Sequence, residues 1–268
     1  MRPFALLLVL ALSGCPAAPE APTELGELTL FFFAEFETAD DAFLADALLN
    51  VEEVFATVDL EAERADRQWI QPVLTPEYWG GASGPDPDVV PPDAQIPISV
   101  AGVSEWPVSA HATAVLEPDQ SQLEPSAPSH DRTYPNGTDC WEAADCHRLD
   151  TDNHVTKANA LYTIIYDTEK DFRRLTLEDG RAAMVARTWN DSQAFGEQGV
   201  NSIDQNYACE VFIEHPDNAA RTQRMMSIWT STTLSADPDP ALVRGIIASG
   251  IDGLFRRHDE WQEEQSAR

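Results

Sequence analysis

The chain has 268 residues, 43% of them hydrophobic, with 46 acidic against 17 basic side chains and a formal net charge of −29. That length supports one sizeable core or two small ones. A surface this acidic repels nucleic acid and anionic lipid headgroups, so neither is an expected partner. Lysine is confined to Lys157 and Lys170; the other basic residues are arginines.

At the N-terminus, Arg2 precedes an apolar run from Phe4 to Leu12. A spanning helix needs about 20 apolar residues, so this run is too short to cross a bilayer and reads as a cleaved export signal. Its end, Leu12-Ser13-Gly14-Cys15, resembles the lipobox of bacterial lipoproteins. In that family the cysteine is acylated and becomes the mature N-terminus. The resemblance therefore implies that residues 1–14 are removed and that Cys15 is the lipid-attachment residue. It also implies that the chain is exported and held on the bacterial cell membrane. Loss of Arg2 takes the net charge from −29 to −30. Pro16 stands where the best-known inner-membrane retention signal has aspartate, which by analogy favours the outer membrane. Residues 16–27, "PAAPEAPTELGE", complete a Pro-rich tether with Cys15. At about 3.1 Å per residue it reaches roughly 30 Å.

A single domain is expected over residues 28–268. "LTLFFFAEF" (28–36) reads as a largely buried strand. Thr38 reads as an N-cap with Asp41 three residues on, a variant of the capping box. Leu44, Leu48, Val51 and Phe55 follow at helical spacing, predicting a helix over about 39–56. From about residue 75 to 138 the chain is rich in Pro, Asp and Ser and reads as long loops. Within it, "IPISVAG" and "VSAHATAVLE" are expected as short strands.

The last 110 residues are more regular. "ANALYTIIYD" reads as a strand, and "DFRRLTLEDGRAAMVARTWN" as a hairpin turning at Asp179-Gly180. A two-residue turn there places Leu177 opposite Ala182, Leu175 opposite Met184, Arg173 opposite Ala186 and Glu178 opposite Arg181. Leu175, Leu177, Ala182, Met184 and Ala186 then share an apolar face. "SIDQNYACEVFIEH" and "TQRMMSIWTSTTL" make a second long pair. A helix over about 240–262, capped by Asp237 or Asp239, carries Leu242, Ile246, Ile247, Ile251, Leu254, Phe255 and His258 on one face. Gly245, Gly250 and Gly253 each cost helix propensity of up to about 1 kcal/mol, which close approach to a sheet would offset.

These elements predict an α+β fold with one mostly antiparallel twisted sheet packed on a long C-terminal helix. Their order over roughly 28–60 and 155–262 resembles the START-like, or helix-grip, fold. In that family the space between helix and sheet often holds an apolar ligand such as a lipid.

An exported chain meets an oxidising compartment. Cys140 and Cys146 flank "WEAAD", and a local disulfide between them is expected, contributing about 2 kcal/mol or less. Cys209, in the strand-like "QNYACEVFI", reads as a buried thiol, with a bridge to either partner as the alternative.

No catalytic motif is present. The chain has no G-x-S-x-G, P-loop, G-x-G-x-x-G, C-x-x-C or H-E-x-x-H. Cys140, Cys146, His147, Asp150, Asp152 and His154 cluster in sequence, but their spacing matches no zinc module. A calcium loop opening at Asp150 would need glycine where Val155 stands and glutamate where Leu161 stands. No catalytic residue, metal site or cofactor is assigned, and the ligand-binding residues are unknown. Arg173, Arg174, Arg181 and Arg187 read as partners of nearby carboxylates, with an anion site as the alternative. Trp189, Tyr207 and Trp229 read as core aromatics, with the lining of a ligand pocket as the alternative.

The expected role is non-enzymatic: a membrane-anchored envelope lipoprotein that binds a small apolar ligand or a partner protein. The alternatives are a structural or protein-interaction module using the loops of 75–138, and an enzyme with an unrecognised site.

Overall fold

Long runs of β-branched and aromatic residues separated by short turns pair locally, and this builds most of the molecule. The computed structural model describes residues 20–158, 163–196, 199–235 and 238–268. In chain order the elements are α1 (Leu25–Ala34), α2 (Asp41–Phe55), β1 (Gln68–Trp69), β2 (Ile96–Ser104), α3 (Val108–Ala114), β3 (Ser129–Thr133), α4 (Asp139–Glu142), β4 (Arg148–Ala158), β5 (Thr163–Thr176), β6 (Ala182–Trp189), β7 (Ala194–Phe195), β8 (Ser202–His215), β9 (Asn218–Thr233) and α5 (Pro240–Ser266). The strands form one antiparallel sheet in the order β1-β2-β9-β8-β6-β5-β4-β3, with β7 also on β8. A register shift at Asp204 in β8 bends the sheet. The Asp204 carboxylate there accepts hydrogen bonds from Ser202, Gln193 and Thr233.

Helices cover both faces. α1 and α2 pack on one face in the largest core, against Val185, Tyr207, Val211, Met225 and Trp229 among others. On the other face, α5 packs Ala248, Ile251 and Phe255 onto Ile98 and Val100 of β2. α3 packs Val108, Ala112 and Val115 beside it, with Trp141, Phe172, Met184 and Phe212. Among the described residues, no helix is long and apolar enough to cross a membrane.

The α+β arrangement matches the sequence expectation; several elements do not. The strand expected at 28–36 is the helix α1, which begins at Leu25, within the expected tether. Leu28, Thr29, Leu30, Phe32 and Phe33 are all buried. With six of its ten residues buried and Glu27 the one exposed position, α1 shows no clear apolar stripe and cannot be told from a buried strand by periodicity. A loop closes over its end: a Cβ added at Gly80, whose φ is +56°, would lie 2.0 Å from the carbonyl oxygen of Ala34. α2 buries Leu44, Leu48, Val51 and Phe55 as expected, but its cap is Asp40, which accepts from the Phe43 amide at 2.8 Å. Thr38 instead bonds to Glu35.

The 75–138 segment contributes β2, α3 and β3. "IPISVAG" lies in β2 as expected, whereas most of "VSAHATAVLE" forms α3 rather than a strand. Pro107 precedes α3, Val115 ends it, and four of its seven residues are buried.

The β5–β6 hairpin is one residue out of the expected register. Leu175 faces Ala183, Arg174 faces Met184 and Phe172 faces Ala186. The Leu177 amide bonds to the Arg181 carbonyl oxygen, so the loop is Glu178-Asp179-Gly180, with Gly180 at φ +88°. A three-residue loop with a left-handed glycine is the next commonest hairpin connection. The slip divides the expected apolar face. Leu175, Leu177, Ala183 and Val185 join the core under α1 and α2, while Met184 and Ala186 join the opposite core with Phe172. Arg181 pairs with Glu52 and Asp179 instead of Glu178.

α5 starts at Pro240 behind an Asp239 cap and extends to Ser266, four residues past the expected end. Asp237, the alternative cap, lies outside the described residues. Close packing does not explain the glycines of α5. A Cβ at Gly245 or Gly250 would meet nothing within 4 Å, and one at Gly253 would meet only Arg256.

Candidate functional site

Between α5 and the sheet lies a partly open cavity of about 260 Å³. β8, β6, β5 and β4 form its floor, α5 its roof, and α3 with the residues up to Ser126 closes one end.

The roof is apolar because α5 turns Ile247, Ile251 and Leu254 inward, towards Met226 and Ile228 of β9, with Ile246, 38% exposed, at the edge. Gly250, with no neighbour within 4 Å of an added Cβ, keeps the roof open. These residues were legible as one helix face. Leu242 departs from that face: it is 57% exposed, and Val243 takes a buried place.

The opposite wall is polar and contains residues that periodicity did not single out. The Glu124 carboxylate lies against Lys157 and, at 2.9 Å, against His130 Nδ1. Burial pushes Glu124 towards the neutral form, but Lys157 and His130 prevail and hold its carboxyl well below the usual range. His130 Nε2 lies 3.1 Å from Asn153 Oδ1, which also accepts from Arg132 Nε at 2.8 Å. Arg132 Nη1 donates to the Val115 carbonyl oxygen at 3.0 Å. Burial lowers the Arg132 guanidinium to about 10 despite the fields of Tyr134, Glu210 and Glu124. Lys170 pairs with Glu210 on the floor. Arg132 and Lys170 flank the Phe172 ring at 5.3 Å and 5.1 Å from its centroid, within cation–π range.

His258 hangs from α5 into the same space and makes no hydrogen bond with the described residues. Burial, then the positive charges of Arg224, Lys170 and Arg132, lower it to about 3, so it is neutral at pH 7. Deeper still, His111, on the buried face of α3, has neither ring nitrogen hydrogen-bonded among the described residues and lies 5.2 Å from the Phe212 ring; burial lowers it too. The arrangement offers an apolar roof, a polar wall and two neutral imidazoles. An α5 helix gripped by a curved antiparallel sheet, with space between, decides the architecture.

The fold is a helix-grip. No family model matches the chain, and no curated protein matches it. Among solved structures it is similar to a STAR-related lipid transfer protein from Xanthomonas axonopodis, at 9% identity and TM-score 0.43, over 62% of this chain and 85% of that one. It is also similar to Ara h 8.0201, at 14% identity and TM-score 0.37, over 63% and 97% of the two chains. TTHA0849 from Thermus thermophilus shows 12% identity and TM-score 0.40, over 63% and 97%.

The other described residues singled out in the sequence lie away from the helix-grip cavity. Cys15 falls outside the described residues. The disulfide expected between Cys140 and Cys146 is not formed: both are free, as is Cys209. Backbone hydrogen bonds from Asp145 and Cys146 to the Cys140 carbonyl already close this turn, with Ala144 at φ +58°. The two thiols sit side by side, and a hydrogen bond to Cys146 raises Cys140 to about 11. Cys209 is buried in the core under α1 and α2, and burial pushes its thiol up further. Three hairpin arginines find carboxylates: Arg173 meets Asp41, Arg181 meets Glu52 and Asp179, and Arg187 meets Glu37 and Asp171. Arg174 instead stacks 3.8 Å from the Trp141 ring centroid. Trp189, Tyr207 and Trp229 are core residues.

Proposed function

We propose that this chain is an exported lipoprotein whose domain carries or senses one small, largely apolar ligand, bound between α5 and the sheet. The observation that supports it is the partly open space between α5 and the sheet, roofed by isoleucine and leucine, with the exposed Gly250 among its lining residues. A protein with no use for that space gains stability by filling it, since each buried methylene contributes about 0.8 kcal/mol. Acylation of Cys15 would hold the domain at the membrane, with the outer membrane favoured. Ala21 packs on the core and the Pro22 carbonyl oxygen accepts from Asn50 Nδ2, so the tether would be the five residues from Pro16 to Glu20, about 16 Å if extended.

Octan-1-ol is a suitable neutral probe. Titrated into the full chain, it should shift the amide resonances of Ile228, Ile247 and Ile251. In Gly250→Trp, which fills the space, those shifts should vanish while the fold is retained. A spectrum unmoved by octan-1-ol at its solubility limit would count against the cavity as a ligand site. For the anchor, Cys15→Ser should move the protein from the membrane fraction to the soluble fraction; an unchanged distribution would remove that part of the reading.

A further inference from the structure

Four arginines are buried among the described residues: Arg132, Arg173, Arg187 and Arg224. Three of them hold a carboxylate: Arg173 that of Asp41, Arg187 those of Glu37 and Asp171, and Arg224 that of Asp259. Arg132 does not. Its hydrogen bonds go to two neutral oxygens, Asn153 Oδ1 and the Val115 carbonyl, and Nη2 has no partner among the described residues. Yet Arg132 is only 5% exposed, and what it lines is the cavity. A buried charge without a counter-ion is costly.

The wider charge distribution has the same sign. Lys157 and Lys170 are the only lysines in the sequence, and both line this cavity. They are matched by Glu124 and Glu210, the only carboxylates among its lining residues. Counting lysine and arginine against glutamate, and leaving His130 aside, Arg132 leaves the wall with one positive charge in excess, inside a chain whose net charge is −29. A random surface site on such a protein would be negative.

We infer that the ligand carries a single anionic head, a carboxylate in the simplest case, which completes the fork of Arg132. Its apolar chain then runs from the β3–β4 wall towards Met226, Ile228 and the isoleucines of α5. The head lies beside the Phe172 ring, between Arg132 and Lys170. This inference rests on the reading of the cavity as a ligand site and specifies the chemistry that the site selects.

The test compares octanoate, octan-1-ol and octyltrimethylammonium, which share a tail and differ in head charge, by NMR titration or calorimetry of the full chain. Octanoate should bind at least tenfold more tightly than octan-1-ol, as expected for a charge-assisted hydrogen bond. The cation should bind most weakly. Arg132→Met should bring octanoate down to the level of octan-1-ol while leaving octan-1-ol binding in place. Should Arg132→Met fail to fold, the side-chain 15N resonances of Arg132 in the wild-type chain provide the second measurement. They should shift with octanoate and not with octan-1-ol. Equal binding of acid and alcohol, a preference that survives Arg132→Met, or an Arg132 resonance indifferent to octanoate would each overturn the anionic head and leave the cavity reading standing. Binding of no probe at all would overturn both.

Discussion

Lys170 of β5 and Glu210 of β8 reach over the intervening strand β6 to form an ion pair on the cavity floor. Ala186, the β6 residue opposite both Phe172 and Glu210, is small enough to let the two side chains meet. The pair is largely screened from solvent, with side-chain exposures of 17% and 6%. Removing one member of such a pair leaves an uncompensated charge, whereas replacing both with apolar groups is often neutral. Glu210→Ala should therefore lower stability by about 3 kcal/mol, and Lys170→Met combined with Glu210→Leu should recover to within about 1 kcal/mol of wild type. Urea midpoints of the three proteins decide this. A double variant no better than Glu210→Ala would mean that the pair is not coupled.

Ile251 is 2% exposed and packs with Ile98, Val100, Ala248 and Phe255. Leu242, on the same helix, is 57% exposed. Ile251→Asp should cost about 4 kcal/mol or more, because it removes a core side chain and buries an unpaired charge. Leu242→Asp should change stability by no more than about 0.5 kcal/mol. Thermal melts that treat the two substitutions alike would contradict the packing of α5.

The pH dependence of stability should carry the mark of His258. Its pKa falls from the ordinary 6.5 to about 3 in the folded protein, through burial and then Arg224, Lys170 and Arg132, with Glu124 opposing. As pH drops below 6.5 the unfolded chain takes up the proton and the folded chain does not. The stability that a neutral His258 supports is thus complete above pH 6.5 and is lost as pH falls towards 3. The slope approaches about 1.4 kcal/mol per pH unit. Asp171, which burial raises to about 6, acts oppositely between its ordinary 3.8 and that value. The difference between wild type and His258→Gln isolates the histidine. Between pH 7 and 4 the urea midpoint of wild type should fall relative to that of His258→Gln as pH drops; parallel curves would show that His258 titrates as it does in water.

What the sequence alone determined was whatever depends on local chemistry repeated along the chain. The Asp239-capped helix α5 and the α2 stripe of Leu44, Leu48, Val51 and Phe55 were readable because each places apolar residues at one period on one face, and the long β8–β9 pair because two strand-like runs flank a turn-rich segment. The likeness of Leu12-Ser13-Gly14-Cys15 to a lipobox was readable because that signal is linear. Tertiary structure decided the rest. Elements buried on both sides lose their periodicity: α1 looked like a strand, and β6, with Ala183 through Ala186 all buried, accepted either register until the left-handed Gly180 chose one. α3 formed without a decisive local signal because its buried face, Val108, Ala112 and Val115, completes a core supplied by distant strands. The polar wall was invisible for a similar reason. Glu124, Arg132, Asn153, Lys157, Lys170, Glu210 and His258 are spread over more than 130 residues and share no spacing. Only the antiparallel pairing of β3, β4 and β5, and the fall of α5 across the sheet, bring their charges into one low-dielectric space where a missing counter-ion acquires meaning.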